Sequence, residues 1–526
     1  KKIKKKNYVF KTNSDSEVLL QSYIEYGEKC VEHFEGMWAF AIWDNKKKKL
    51  FISRDFFGEK PLYYHLSKEG FFFGSEIKFI KSLSGLNFKI NEDQVNKNLF
   101  NGYKSLFKTN QTFYKEIFTL ENATSITIDL DLKIKKNFFW KPLLKIDNKI
   151  NNNEATKQLK ILLKKSLEIR MRSDVPVAFC LSGGVDSALL ASLAKKKLNK
   201  KISTFSIIDS DQRYNEKDNI MHIIKDLKCD NELIYLDYKK ENFFSRIKKL
   251  TKYHDGPIAT LSYYIHSFLS ERISNANFKV AIAGTGADEI FTGYYDHFAL
   301  HLAATQKHSS FKKDLNDWKQ FILPVIRNPS LKNPLIYIDD ENNRDVVFEK
   351  NFNIKEYSKN KYPNKFNEKN YCGELLRKRM LNELFNEVVP VILKHDDLNS
   401  MYHSIENRSP YLDREILNFA LTLPPKMLIN MGYQKKILRD ASKGILADKI
   451  RLDRYKKGFN ASIASVLDIK NKKIINKIFN KKNPINEFVN LDKLKKDINF
   501  ESIPNHYSKL IFSIITTNIF LEENNY

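Results

Sequence analysis

At 526 residues the chain is long enough for two or more domains with separate cores. Its hydrophobic content of 42% is ordinary for a protein surrounded by water; no apolar run reaches the ~18 residues of a membrane helix, "IFSIITTNIFL" included. The net charge of +26 comes mainly from Lys spread along the chain among Asn and Ile, not from clustered Arg, which argues for solvated lysine faces and against a nucleic-acid surface.

The opening "KKIKKKNYVF" has neither the apolar stretch nor the cleavage site of a signal peptide. Cys30, Cys180, Cys229 and Cys372 are scattered and match no metal spacing, which suits a reducing cytoplasm. Cys30 itself, in "YGEKCVEHFEG", reads as a helical, buried apolar filler.

Residues 1 to about 145 read as β-rich: "MWAFAIWD", "KLFISRD", "PLYYHLS" and "GFFFGSE" are short aromatic and β-branched runs between turn residues. The polar "KIDNKINNNEA" marks a domain boundary, giving domains 1–145 and 151–526. A helical "EATKQLKILLKKSLEIRMRSD" follows. Strands then alternate with helices through "VPVAFCLS", "ISTFSII", "NIMHIIKDLK", "NELIYLD" and "FKVAIAG". That alternation predicts an α/β domain built on a doubly wound parallel sheet. From about 370 onward the pattern is mostly helical, and there is no internal repeat.

Two turns carry chemistry. "LSGGVDS" (Leu181 to Ser187) joins an apolar run to a helical one. Backbone N–H groups and hydroxyls of Ser182, Gly183 and Gly184, at a helix N-terminus, form an anion site. No Gly-Lys-Ser/Thr follows, so this is not a Walker A loop. Asp186 beside a polyphosphate would repel it unless a cation lay between, which implies Mg²⁺. Taken alone, such a turn reads equally well as a tight turn with Asp as a cap. The stretch "VAIAGTGADEIFTGY" (Val280 to Tyr294) repeats the plan: strand, Gly-rich turn, the acidic pair Asp288 and Glu289, apolar helix. In a parallel sheet both turns lie at the C-terminal strand ends, where Asp186 and Asp288 can hold Mg²⁺ from two sides.

Together these turns resemble the ATP-pyrophosphatase domain of the asparagine synthetase family. "DDLNSMYHSIENRSPYLD" and "GYQKKILRDA" are similar to two further family stretches, and "FEGMWAFAIWD", "SRDFFGEKPLYY" and "FGSEIK" resemble its N-terminal-nucleophile glutaminase domain. The resemblance implies ATP-dependent amidation of a carboxylate through an acyl-adenylate. It implies Lys435 and Asp288 as catalytic residues, Leu181, Ser182, Gly183, Gly184, Asp186, Ser187, Ile207, Ala283 and Gly284 as the ATP site, and Asp15 as the residue that binds glutamine. In a chain this rich in Lys, it is the place of Lys435 within "GYQKKILRDA" that singles it out. Glu406 and Arg408 read as a structural ion pair shaping the acceptor pocket. ATP, Mg²⁺, aspartate and glutamine are the expected small molecules, in a cytoplasmic enzyme that can pair as a homodimer, with no nucleic acid and no membrane.

Two features depart from the family. Its glutaminases begin with Cys, whose thiol is the nucleophile and whose amine is the base. Here residue one is Lys, so a fragment opening about halfway into the glutaminase domain is expected, one that uses ammonia rather than glutamine. The second turn carries Thr285 where asparagine synthetases usually have Glu. Thr is no base, and this keeps a sugar acid or another carboxylate open as the acceptor beside aspartate. A tRNA-modifying ATP pyrophosphatase is disfavoured by the glutaminase-like segment and the absence of a cysteine pair. A dead scaffold is disfavoured by Asp186, Asp288 and Lys435. The synthetase half, from about Asn151, is expected to fold alone.

Overall fold

The computed structural model describes residues 8–209, 211, 215–236, 242–343, 352–360, 366–455 and 462–526. The opening Lys1 lies outside these residues. The chain divides into two compact units.

The first unit comprises residues 1–88, 110–112 and 116–143. Its strands are β1 (Ala39–Asp44), β2 (Lys49–Arg54), β3 (Tyr63–Ser67), β4 (Gly70–Gly74), β5 (Phe118–Thr119), β6 (Thr124–Ile128) and β7 (Ile134–Phe138). They form two antiparallel sheets, ordered β1-β2-β6-β7 and β4-β3-β5. Ile52, Leu62, Leu120, Ile126 and Ile128 pack together as one core cluster. The "SRDFFGEKPLYY" stretch is held from within. Asp55 is fully buried, and its carboxylate accepts the backbone N–H groups of Trp38, Phe57, Glu59 and Lys60. Arg54 donates to the carbonyls of Gly58, Lys60 and Leu120. A buried charge with this many partners fixes the turn between β2 and β3. Cys30 is buried as expected, in a 3₁₀ turn (Gly27–His33) rather than an α-helix.

The second unit comprises residues 89–109, 113–115 and 144–526. Its sheet contains β8 (Val177–Cys180), β9 (Ser203–Ile208), β10 (Asp230–Tyr235), β11 (Val280–Ile282) and β12 (Glu406–Arg408). The order is β10-β9-β8-β11-β12, and every pairing is parallel. Winding proceeds outward from β8 in both directions. The strand order therefore reverses between β8 and β11, which opens a crevice at their C-terminal ends. The helix Val185–Lys197 is buried without a break from Ser187 to Ala194, as a crossover helix covered on all sides must be. Ala178, Phe205, Ile273, Ala281 and Ile405 form the core beneath the crevice.

Residues 89–109 and 113–115 belong to the second unit, although the composition break placed the boundary near 145. Their partner is the C-terminal helix Asn505–Glu523, buried from Leu510 to Leu521. Asn98 Nδ2 donates to Thr517 Oγ1 at 3.0 Å, Tyr114 Oη to Asn524 Oδ1 at 3.0 Å, and the Phe113 and Phe520 rings meet edge to face. The apolar "IFSIITTNIFL" is thus a core helix. No described helix is long and apolar enough to cross a membrane.

Candidate active site

The first turn closes on itself. Ser182 N–H donates to Ser187 Oγ at 3.0 Å, the two hydroxyls lie 2.9 Å apart, and Gly184 N–H points at Ser182 Oγ at 3.3 Å. Gly183 N–H donates to the carboxylate of Glu216 at 3.3 Å. An anionic oxygen therefore already rests on this loop amide. Gly183 is required by crowding: an added Cβ would lie 2.8 Å from Asn219 Cβ and 2.9 Å from Glu216 Cβ.

The second turn meets the first through a lysine. Lys435 Nζ lies 2.5 Å from Asp186 Oδ2 and 2.6 Å from Asp288 Oδ1. Lys435 is 5% exposed, so this ammonium is held by charge in a poorly hydrated place. Burial pulls its pKa down, and the two carboxylates outweigh that and hold it above the ordinary lysine value. Its backbone is in the left-handed region (φ 53°), and its N–H donates to Thr292 Oγ1 at 3.2 Å. Thr292 is left-handed as well (φ 70°). Two strained residues joined side chain to backbone mark a place where geometry is held for use.

Behind Asp288 lies a buried acidic network. Tyr294 Oη donates to Glu289, and His297 Nε2 lies 2.7 Å from Glu383 Oε2. Burial, then the nearby Asp288 charge, pushes Glu289 up to about 7. Asp296, His297 and Glu383 converge closely enough for a cation. Asp296 is paired with Arg379, however, and His297 uses its second nitrogen to accept Gly293 N–H. The trio reads as a buried ion network.

A cavity of about 240 Å³ runs from the turns into the crevice, lined by Leu181, Ser182, Asp186, Ser187, Ile207, Ala283 and Gly284. Thr285 and Glu216 also face it. Phe205 of β9 and Leu269 and Ile273 of the helix Leu261–Asn275 give it apolar walls. His266 and Asp396 also line it, with His266 Nδ1 2.9 Å from Asp396 Oδ1. Sequence reasoning missed this pair. Asp396 stood inside a quoted motif, but His266 sits in a helix with no distinguishing pattern.

Residues 158–518 match the family model described as asparagine synthase. The chain belongs to the asparagine synthase family. A second family model, a glutamine amidotransferase domain, matches residues 1–140. A Methanocaldococcus jannaschii protein named "Putative asparagine synthetase (glutamine-hydrolyzing) 2" is 32% identical over 421 residues, covering 75% of this chain and 78% of that one. Asparagine synthetase (glutamine-hydrolyzing) 1 of Bacillus subtilis is 29% identical over 481 residues, covering 87% and 73%. Amidase chry2 of Gibberella zeae is 23% identical over 500 residues, covering 84% and 72%. As a member of the asparagine synthase family, the chain falls among ATP-dependent ligases that form carbon–nitrogen bonds with glutamine.

Within this asparagine synthase family member, Asp15 stands in the first unit, exposed at the start of the helix Asp15–Tyr26. Glu406 and Arg408 do form an ion pair, at 2.6 Å. Their place corrects the expectation that they shape the pocket. Arg408 donates to the carbonyls of Arg170 and Arg172, and it is Asn407, on the opposite face of β12, that lines the cavity.

Proposed function

We propose that the chain amidates a carboxylate by first adenylating it, with aspartate as acceptor and glutamine or ammonia as nitrogen donor, releasing AMP and pyrophosphate. The observation that carries this reading is Lys435 bridging Asp186 and Asp288 where two phosphate-binding turns converge.

A carboxylate oxygen is a poor leaving group, and AMP is a good one. The amides and hydroxyls of Ser182 to Ser187 bind the pyrophosphate half of ATP, and Glu216 yields Gly183 N–H to it. Lys435 stands at the α-phosphate and stabilises charge as pyrophosphate departs, then the oxyanion as the amine attacks. Ile207 and Phe205 flank the base. Asp186 and Asp288 suit Mg²⁺: both offer hard oxygen donors, and the buried Asp186 Oδ1 has no hydrogen-bond partner among the described residues. When bound, that ion would neutralise polyphosphate charge. No disulfide joins the four cysteines, in keeping with a cytoplasmic enzyme, and a homodimer remains part of the proposal.

Thr285 in the cavity wall favours a second acceptor class, a sugar acid or another carboxylate, since no acid stands at that position. Pyrophosphate release measured with aspartate and with a panel of uronic acids decides between them. Release with aspartate alone supports the first reading, and release with a uronic acid alone replaces it.

A further inference from the structure

We propose that Thr292 is a positioning residue, whose hydroxyl fixes where Lys435 stands relative to Asp288. The inference rests on the reading of Lys435 above and adds the group that aims it. Thr292 is fully buried, at φ 70° and ψ 138°, a conformation open to Gly and costly for a β-branched side chain. A contact goes with the strain. Thr292 Oγ1 accepts the Lys435 backbone N–H at 3.2 Å, and its one proton is shared between the carbonyls of Phe291 and Leu428, the latter at 3.4 Å.

Both ends of this contact adjoin the charged groups. Thr292 closes the short helix Ala287–Phe291, which carries Asp288, and Lys435 opens the helix Lys436–Ala441. Between Leu428 and Lys435 the chain reverses tightly. Asn430 and Tyr433 exchange backbone hydrogen bonds at 3.1 and 2.9 Å, with Met431 at φ 54° and Gly432 at φ 70°. Thr292 touches the chain on both sides of that reversal, and Gln434 Nε2 donates to the Tyr294 carbonyl nearby. Lys435 is 5% exposed, so without the Thr292 oxygen its N–H would be buried and unpaired. Finding another partner requires the lysine backbone to turn, which carries Nζ out from between Asp186 and Asp288. Gly at 292 would remove the strain and the oxygen together, so stability and rate should part company there.

The test is pyrophosphate release by the full chain with ATP, Mg²⁺, ammonium chloride and whichever of aspartate and the uronic acids supports it, beside equilibrium ATP binding and thermal unfolding. Thr292→Val keeps the shape and loses the acceptor. It should lower kcat about 10-fold, the range of one hydrogen bond, and leave ATP affinity within about twofold. Thr292→Ser keeps the oxygen and should hold kcat within about twofold of wild type. Thr292→Gly should lose rate as Thr292→Val does while melting no lower than wild type. In a chain already carrying Lys435→Ala, Thr292→Val should cost less than about twofold more, because a group that acts through Lys435 has nothing left to aim. Four results would overturn the inference: wild-type kcat in Thr292→Val, equal losses in Thr292→Ser and Thr292→Val, rate and melting temperature falling together in Thr292→Gly, or an undiminished cost of Thr292→Val in the Lys435→Ala chain. If the wild-type chain releases no pyrophosphate with any of these acceptors, or Lys435→Ala keeps the wild-type rate, the reading of Lys435 falls and takes this inference with it. If Lys435→Ala is slow and Thr292→Val is not, only this inference falls. Thr292→Gly relieves strain, so poor folding of Thr292→Val leaves the comparison of Thr292→Gly with Thr292→Ser decisive.

Discussion

The ammonium of Lys435 lies 2.5 Å from the carboxylate of Asp186, although 249 residues separate them in the chain. Lys435→Ala should stop turnover while changing ATP affinity far less, because its charge is needed most where negative charge develops. A loss of about 10²-fold or more in kcat is expected, the size typical of one lost transition-state donor. Steady-state pyrophosphate release beside equilibrium ATP binding separates the two effects. Equal losses in rate and affinity would make Lys435 a ground-state binding residue.

Asp186→Asn and Asp288→Asn should each reduce adenylation by about 10³-fold or more, since each removes one oxygen donor and one of the two charges that hold Lys435. Raising Mg²⁺ should recover part of the loss in either variant. Pyrophosphate release near the wild-type rate would remove both residues from the metal assignment.

Much of this site was legible because its parts are local. A strand, a small-residue turn and a helix are consecutive in "LSGGVDS", and again from Val280 to Tyr294, so periodicity placed both turns at strand ends. The meeting of Lys435 with the two aspartates was not legible from periodicity, since it depends on two left-handed residues, Thr292 and Lys435, that no pattern marks. The His266–Asp396 pair joins two helices far apart in sequence, and helical spacing alone makes His266 look like any half-buried residue. The composition break near 145 hid the return of residues 89–109 and 113–115 to the second unit, because a packing partner some 400 positions away leaves no local trace.

Gly293 is set beneath the acid of the second turn. A Cβ there would stand 1.7 Å from Asp288 Oδ1 and 2.4 Å from its Cγ. Gly293→Ala should drive the carboxylate away from Lys435 while the sheet stays folded. A displacement of about 1 Å at a reacting centre can cost 10²-fold, and a loss of that order in pyrophosphate release is expected. Circular dichroism should be unchanged. Full activity would show that the turn relaxes without moving Asp288.

Glu289 makes stability depend on pH in an unusual direction. Its folded-state pKa of about 7 stands above the ordinary 4.5, so the folded chain holds this proton more tightly than the unfolded chain. Its stabilising contribution is complete below about 4.5 and is lost as pH rises toward 7. Urea unfolding of the wild-type chain and of Glu289→Gln, without nucleotide or metal, should show the wild type losing up to about 3 kcal/mol relative to the variant across that window, then no further change. A relative gain in wild-type stability with rising pH would contradict the assigned burial.

The last prediction concerns where the synthetase half can be cut. Its alternating pattern suggested that residues 151–526 fold alone. The structure gives the C-terminal helix Asn505–Glu523 partners from before that point. Removing residues 89–115 would take away Asn98 from Thr517, Phe113 from Phe520 and Tyr114 from Asn524. Leu99 and Phe100, both buried, would go with them. Losing a large buried side chain from a core costs about 2–5 kcal/mol, a large share of a typical net stability of 5–15 kcal/mol. The helix left behind would also expose apolar residues to solvent and invite association. The second unit should therefore unfold at a higher temperature in the full chain, which keeps residues 89–115, than in residues 151–526. Calorimetric scans of the two chains, with their elution by size, check this. Equal transition temperatures and equal monomer yield would show that residues 89–115 only rest on the second unit, and that the composition break near 145 marks its true edge.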